Sequence, residues 1–228
     1  MQTIIRGVVF DMDGTLFDSE VGWQWFIELL KKRHFKVSEE DEKHLSFSSH
    51  RQGFWDALQE YWPMLDVPGV KKEWRQRNLR EAMPLFPDVR EMLRTLYRAG
   101  LKLSISSARD EETAHAQLEM GRIREYFWCV FSQEWFYPRH KEDVESLLIL
   151  LREYASRFGI ASSEILYVGD TPAVDGRVAR LAGLQYFYGI ANTQEKRQGF
   201  LGEGIPADHI VGCVTQIPLF QEILAQAA

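Results

Sequence analysis

The sequence predicts a doubly wound α/β fold, a Rossmann-like parallel sheet with an inserted helical domain. Three observations predict it. Apolar runs without polar alternation end abruptly in acid: Gly7-Val8-Val9-Phe10 runs into Asp11, and Ile165-Leu166-Tyr167-Val168-Gly169 runs into Asp170. Such runs suit strands covered on both faces. From residue 83 onward strand-like and helix-like stretches alternate, the pattern of a parallel sheet with crossover helices. Between residues 20 and 82 only helical signals occur, which sets that stretch apart from the sheet.

After Ser19, Trp23, Phe26, Ile27 and Leu30 recur three or four apart and lead into Lys31-Lys32-Arg33, an amphipathic helix with cations at its carboxyl end. Ser38-Glu39-Glu40-Asp41 reads as a helix-capping region, and Phe54, Leu58, Tyr61 and Trp62 form a second apolar face. Pro63 and Pro68-Gly69 set off a charged helix expected from Val70 to Met83. We therefore expect a helical cap over 20–82, and a core built from 1–19 and 83–228. Five of the seven tryptophans (Trp23, Trp25, Trp55, Trp62, Trp74) lie in the cap. They could line a recognition surface, but filling a small interior is the favoured reading, because bulky rings bury the most area per residue.

Pro84-Leu85-Phe86-Pro87-Asp88 returns the chain to the core. Val89, Leu93, Leu96 and Tyr97 mark a helix stopped by Gly100, and Leu101–Ser106 a strand. Ser107-Ala108-Arg109-Asp110 leads into a helix through Ala114, Leu118 and Met120, followed by a third strand over Trp128–Ser132. An aromatic-rich loop, Gln133–His140, ends at Lys141, and Asp143–Phe158 is a long amphipathic helix stopped by Gly159. Beyond the strand at Ile165 come a helix Val178–Ala182, a strand Gln185–Gly189, a short strand at His209-Ile210-Val211 and a closing helix Ile217–Ala227.

Composition narrows the function. With 228 residues and 45% hydrophobic content the chain can bury a sizeable core. Its 27 basic and 33 acidic residues give a net charge of −6, which argues against a basic nucleic-acid-binding surface. Cys129 and Cys213 fit neither a disulfide framework nor a metal-ligand spacing. With no signal-peptide pattern and no membrane-span run, the expected location is the cytoplasm.

Asp11 and Asp13 project to the same side of extended backbone, close enough to share a divalent cation or to divide nucleophile and acid roles. A lone Asp-x-Asp-Gly is equally an ordinary turn, so the remaining chain must decide. Asp11-Met12-Asp13-Gly14-Thr15 resembles the first motif of haloacid dehalogenase-like hydrolases, in particular the phosphatase branch with an inserted helical cap that includes phosphoglycolate phosphatase and β-phosphoglucomutase-like proteins. The resemblance implies that Asp11 is a nucleophile that becomes an aspartyl-phosphate and that Asp13 is the acid and base. The dehalogenase branch lacks a carboxylate at that position, so Asp13 points to phosphate esters. It further implies that Met12, Ser107 and Ala108 help bind the phosphoryl group, and that Lys141 neutralises it, with Arg139 as the alternative cation. Asp170 and Asp175 would join Asp11 and the Asp13 backbone carbonyl around Mg²⁺, Asp175 either as a ligand, directly or through water, or as the holder of Lys141. The expected activity is Mg²⁺-dependent hydrolysis of small phosphorylated metabolites. A sugar-phosphate mutase is the alternative on the same site, although mutase relatives often carry His where Trp23 stands, twelve residues after Asp11. A non-catalytic binding protein is the third reading. No G-x-S-x-G elbow, Walker-type phosphate loop or H-E-x-x-H pattern is present.

Overall fold

The structure, a computed structural model, describes residues 5–41 and 54–227. The chain divides into two compact units, Met1–Asp18 with Pro84–Ala228, and Ser19–Met83.

The first unit contains a six-stranded sheet in the order β3-β2-β1-β4-β5-β6, parallel throughout. Its strands are β1 Gly7–Asp11, β2 Lys102–Ser106, β3 Phe127–Phe131, β4 Ile165–Gly169, β5 Tyr186–Ile190 and β6 Ile210–Val211. Every residue of β1 and β4 is buried, as their uninterrupted apolar character requires. Neighbouring side chains on β1 meet helices on opposite faces. Val9 joins the core formed with Leu147, Leu150, Leu151 and Tyr154 of the helix Val144–Phe158. Phe10 packs against Phe220 of the helix Pro218–Ala227, ring centroids 5.9 Å apart. The period of two along the strand therefore puts apolar surface on both faces, and helices cover both. From β1 the chain first builds outward through β2 and β3, then crosses to the other side of β1 to lay down β4, β5 and β6. The strand order reverses between β1 and β4, the position at which open α/β sheets bind ligands.

Three local expectations change. The loop expected over Gln133–His140 begins with a helical turn, Gln133–Phe136, anchored by the buried Phe136 and too short to show periodicity in sequence. The charged helix runs Val67–Asn78 rather than Val70–Met83. Asp66 caps it by accepting a hydrogen bond from the Gly69 N–H at 3.0 Å, and Pro68 sits in the first turn, where a missing N–H costs nothing. A further helix, Gln194–Gly202, was not expected at all: Phe200 is its buried residue, so it carries no apolar stripe.

The described residues of the second unit include the helices Ser19–Lys32, Phe54–Tyr61 and Val67–Asn78. Phe26, Ile27, Leu30, Leu58, Leu65, Val67 and Val70 form its interior, with Trp23, Trp55, Trp62 and Trp74 packed against them. Four of the five tryptophans thus fill this unit's own core. Trp25 instead lies under the Arg77 guanidinium, 4.7 Å from its ring centre. Ser38 and Asp41 bond reciprocally, the Asp41 N–H to the Ser38 hydroxyl at 3.2 Å and the Ser38 N–H to the Asp41 carboxylate at 2.7 Å. That is the capping arrangement expected there. Residues 42–53 of the insertion, and the Phe54 side chain expected on its second apolar face, lie outside the described residues. Among the described residues no helix is long and apolar enough to cross a membrane.

Candidate active site

Asp11 ends β1 and is buried at the reversal of strand order. The chain turns away at once: the Gly14 N–H donates to the Phe17 carbonyl at 2.8 Å and Leu16 N–H to the Met12 carbonyl at 3.0 Å. Gly14 holds φ +77°, and a Cβ there would lie 2.1 Å from Asp170 Oδ2. The glycine therefore serves both the left-handed turn and the approach of Asp170 from the end of β4. Gly169, in ordinary strand backbone, makes room for Asp175 in the same way, the Asp175 Cγ standing 2.3 Å from where a Cβ would be added. Carboxylate oxygens of Asp11, Asp170 and Asp175 all lie within 4.8 Å of one another, and all three residues are buried.

Lys141 pairs with Asp11 and, at 2.9 Å, with Asp175 Oδ1. Its position is fixed by the entry to the helix Val144–Phe158: Asp143 accepts the His140 N–H at 2.9 Å, and the Ser146 hydroxyl donates to the His140 carbonyl at 2.7 Å. Asp175 also accepts from the Tyr167 hydroxyl at 2.6 Å and the Thr171 N–H at 3.0 Å, so it is held on every side. Asp170 pairs with Lys196 and accepts from the Thr171 hydroxyl at 3.2 Å. Asp11 accepts from the Thr15 hydroxyl at 3.3 Å.

Burial pushes the Asp11 carboxyl well above the usual range, with Asp175 and Asp170 adding to the push and Lys141 opposing it. Asp170 is raised by burial against the pull of Lys196. Burial works against the Lys141 ammonium, but Asp11 and Asp175 outweigh it and keep it charged. Fully ionised, the three carboxylates would outnumber the two ammonium groups by one charge, an imbalance that a buried site relieves either by holding a proton or by taking in further positive charge.

The structure gathers Asp11, Lys141, Asp170 and Asp175 into this cluster, and of the two candidate cations it is Lys141, not the exposed Arg139, that faces Asp11. Ser107 follows β2, whose Ser106 lies opposite Asp11; its N–H donates to the Phe131 carbonyl at 2.9 Å and its hydroxyl accepts from the Arg109 N–H at 3.2 Å. Ala108 is exposed. Met12 is fully buried, and its carbonyl accepts from the Leu16 and Phe17 N–H groups in the turn after β1. The Asp13 carboxylate is not one of the clustered three and is gripped bidentately by Arg109, Nε at 2.7 Å and the second contact at 2.9 Å.

Arg109, Lys196 and Tyr167 also contact the acidic residues, and no motif in the sequence marks them for it. Arg109 stood two residues after Ser107 and was legible as a nearby cation. Lys196 lies on the helix without an apolar stripe, and Tyr167 read as one more apolar strand residue.

The donor set at the switch point is all oxygen, buried, and shaped around by two glycines, which suits a small hard cation such as Mg²⁺. Fold and site together define an α/β enzyme with an acidic strand-end centre. Residues 8–188 match the family model described as "Haloacid dehalogenase-like hydrolase". The chain belongs to this family and is a hydrolase. It is 28% identical over 204 residues to a phosphoglycolate phosphatase of Salmonella typhi, covering 78% of this chain and 79% of that one. It is 24% identical over 215 residues to a phosphorylated carbohydrates phosphatase of Thermotoga maritima, covering 89% and 93%. Among solved structures, YfnB of Bacillus subtilis, in a form bound to magnesium, superposes with a TM-score of 0.76 at 15% identity, covering 97% of this chain and 99% of that one.

Proposed function

We propose that this protein is a Mg²⁺-dependent phosphatase of small phosphorylated metabolites, acting through a phosphoryl group carried on Asp11. One observation carries the reading: a buried aspartate at the switch point, paired with a buried lysine and faced by two further carboxylates.

The chemistry follows from the residues. An ionised Asp11 oxygen attacks phosphorus and the bond from phosphorus to the ester oxygen breaks. Asp13, released from Arg109 and protonated from solvent, gives its proton to the leaving oxygen; as a carboxylate it then takes a proton from the water that attacks the acyl phosphate, which releases phosphate, restores Asp11 and leaves Asp13 protonated again. Lys141 offsets charge on Asp11 and the incoming phosphoryl group, and Ser107 with the Ala108 N–H orients that group. Asp11, Asp170 and the Asp13 carbonyl would hold Mg²⁺, with Asp175 either reaching it directly or through water or serving to hold Lys141, and the cation would supply the positive charge an anionic ester needs beside an anionic nucleophile. The names of the two curated relatives support a phosphorylated organic substrate, and the magnesium in the YfnB structure supports the choice of cation. The helical unit is read as the cap that selects the substrate. A mutase is disfavoured because Trp23 packs into that unit's interior where a proton-transferring His would be needed. The net charge of −6 and the free thiols Cys129 and Cys213 favour a cytoplasmic enzyme that engages neither nucleic acid nor membrane.

The test is phosphate release from sugar phosphates, phosphoglycolate and nucleotides, with Mg²⁺ or with EDTA. Release is expected with Mg²⁺ only, and Asp11→Asn should lower it by roughly 10³-fold or more. Isomerised substrate without phosphate release would make the protein a mutase, and silence across the panel would leave a binding protein.

A further inference from the structure

The acidic centre holds two lysines that differ in how firmly they are kept. Lys141 is 8% exposed and bridges two carboxylates. Lys196 is 33% exposed and reaches one, Asp170 Oδ2, from the outside. Its backbone is fixed: Thr193 caps the helix Gln194–Gly202 by accepting the Lys196 N–H at 3.2 Å, Phe200 is buried, and Arg197 ties the helix to the Ile210 and Ala207 carbonyls at 3.0 and 3.2 Å. Only the flexible four-carbon stem is left to move, and it opens toward solvent, where an ammonium group is well hydrated.

We propose that Lys196 is a tethered counter-ion that competes with the divalent cation for Asp170, compensating that carboxylate while the site is free of metal and swinging outward when metal binds. The inference rests on the metal reading given above. The charges explain why two states are needed. Lys196 is the ammonium paired with Asp170 while Lys141 is taken up by Asp11 and Asp175, so removing Lys196 from an ionised Asp170 without replacement would leave a buried carboxylate uncompensated. A divalent cation makes the same ammonium superfluous, since an Asp170 oxygen cannot serve both at full strength. Lys196 thus stabilises the metal-free protein and weakens its affinity for metal by the same interaction.

Calorimetric titration of the purified protein with MgCl₂, together with thermal unfolding in EDTA, reads both effects without recourse to activity. Lys196→Met and Lys196→Gln should bind Mg²⁺ roughly tenfold more tightly than the parent. Both should melt lower than the parent in EDTA and gain more on adding Mg²⁺. Lys196→Arg, which keeps the charge, should stay near the parent in both measurements. Unchanged Mg²⁺ affinity in Lys196→Met and Lys196→Gln overturns the proposal, and if those variants instead lose binding of inorganic phosphate, Lys196 is a phosphate ligand. A parent protein that shows neither heat nor stabilisation with Mg²⁺ overturns the metal reading itself, a result distinct from a parent that binds while its variants match it.

Discussion

At the scale of single residues, the centre depends as much on what is missing as on what is present. Gly14 has no side chain, and the space that leaves is filled by the Asp170 carboxylate. In Gly14→Ala the added methyl would stand 2.1 Å from Asp170 Oδ2 in a backbone conformation, φ +77°, that alanine resists. We expect this variant to fold with a loss of about 1–3 kcal/mol, read by urea unfolding. Its phosphate release at saturating Mg²⁺ should fall by roughly 10²-fold, the penalty for displacing a group that positions the reaction by about an ångström. A variant with parental turnover would show that Asp170 need not approach Asp11. Ser107 teaches a related lesson. Ser104, Ser106 and Ser107 share one short tract, and the sequence alone leaves their register open. The parallel pairing of Ser106 with Asp11 resolves it, putting Ser107 one step beyond the strand.

At the scale of elements, the sheet is held to its helices by a polar contact as well as apolar ones. The Tyr154 hydroxyl, on the helix Val144–Phe158, lies 2.9 Å from the Ser104 hydroxyl and from the Val8 and Lys102 carbonyl oxygens, so one group ties that helix to β1 and β2. Burial pushes its phenol well above the ordinary range, and the hydroxyl stays a proton donor at every working pH. Tyr154→Phe should cost about 1–2 kcal/mol in urea unfolding, the range for a buried hydrogen-bonding group, with the ring's packing intact. A neutral result would mean that strand pairing alone fixes this helix. Elements with a clear period were readable in advance, including Val89–Arg98 and Val144–Phe158, because an apolar stripe directs a helix wherever a sheet can receive it. The helix Gln194–Gly202 was not readable, because Thr193 and one phenylalanine hold it in place of a stripe. Lys196 was hidden with it.

At the scale of the molecule, pH acts on the fold through groups packed against the core, among them the half-buried Cys129. Burial raises the Cys129 thiol from 9.0 to about 11, with Arg157 and Arg124 pulling the other way. The folded state thus keeps its proton where the unfolded chain gives it up. This contribution to stability is whole below pH 9 and is lost as pH climbs through 11. At pH 8 the two-unit difference lowers the thiolate fraction about 100-fold, and because a more basic thiolate is also the better nucleophile, iodoacetamide should alkylate Cys129 at least roughly tenfold more slowly in native protein than in urea. Equal rates would place the thiol in solvent. The sequence by itself determined the α/β class, the helical insertion and the acidic strand ends, because apolar runs, helical periods and the turn at Gly14 act over a few neighbouring residues. Only the tertiary structure decided that Lys141 rather than Arg139 meets Asp11, that Arg109 holds Asp13, and that Lys196 attends Asp170. Those pairs join residues 130, 96 and 26 positions apart. Such a partner is chosen by which strand ends the sheet order brings together and by the need of each buried charge for an opposite one, neither of which leaves a local mark in the chain.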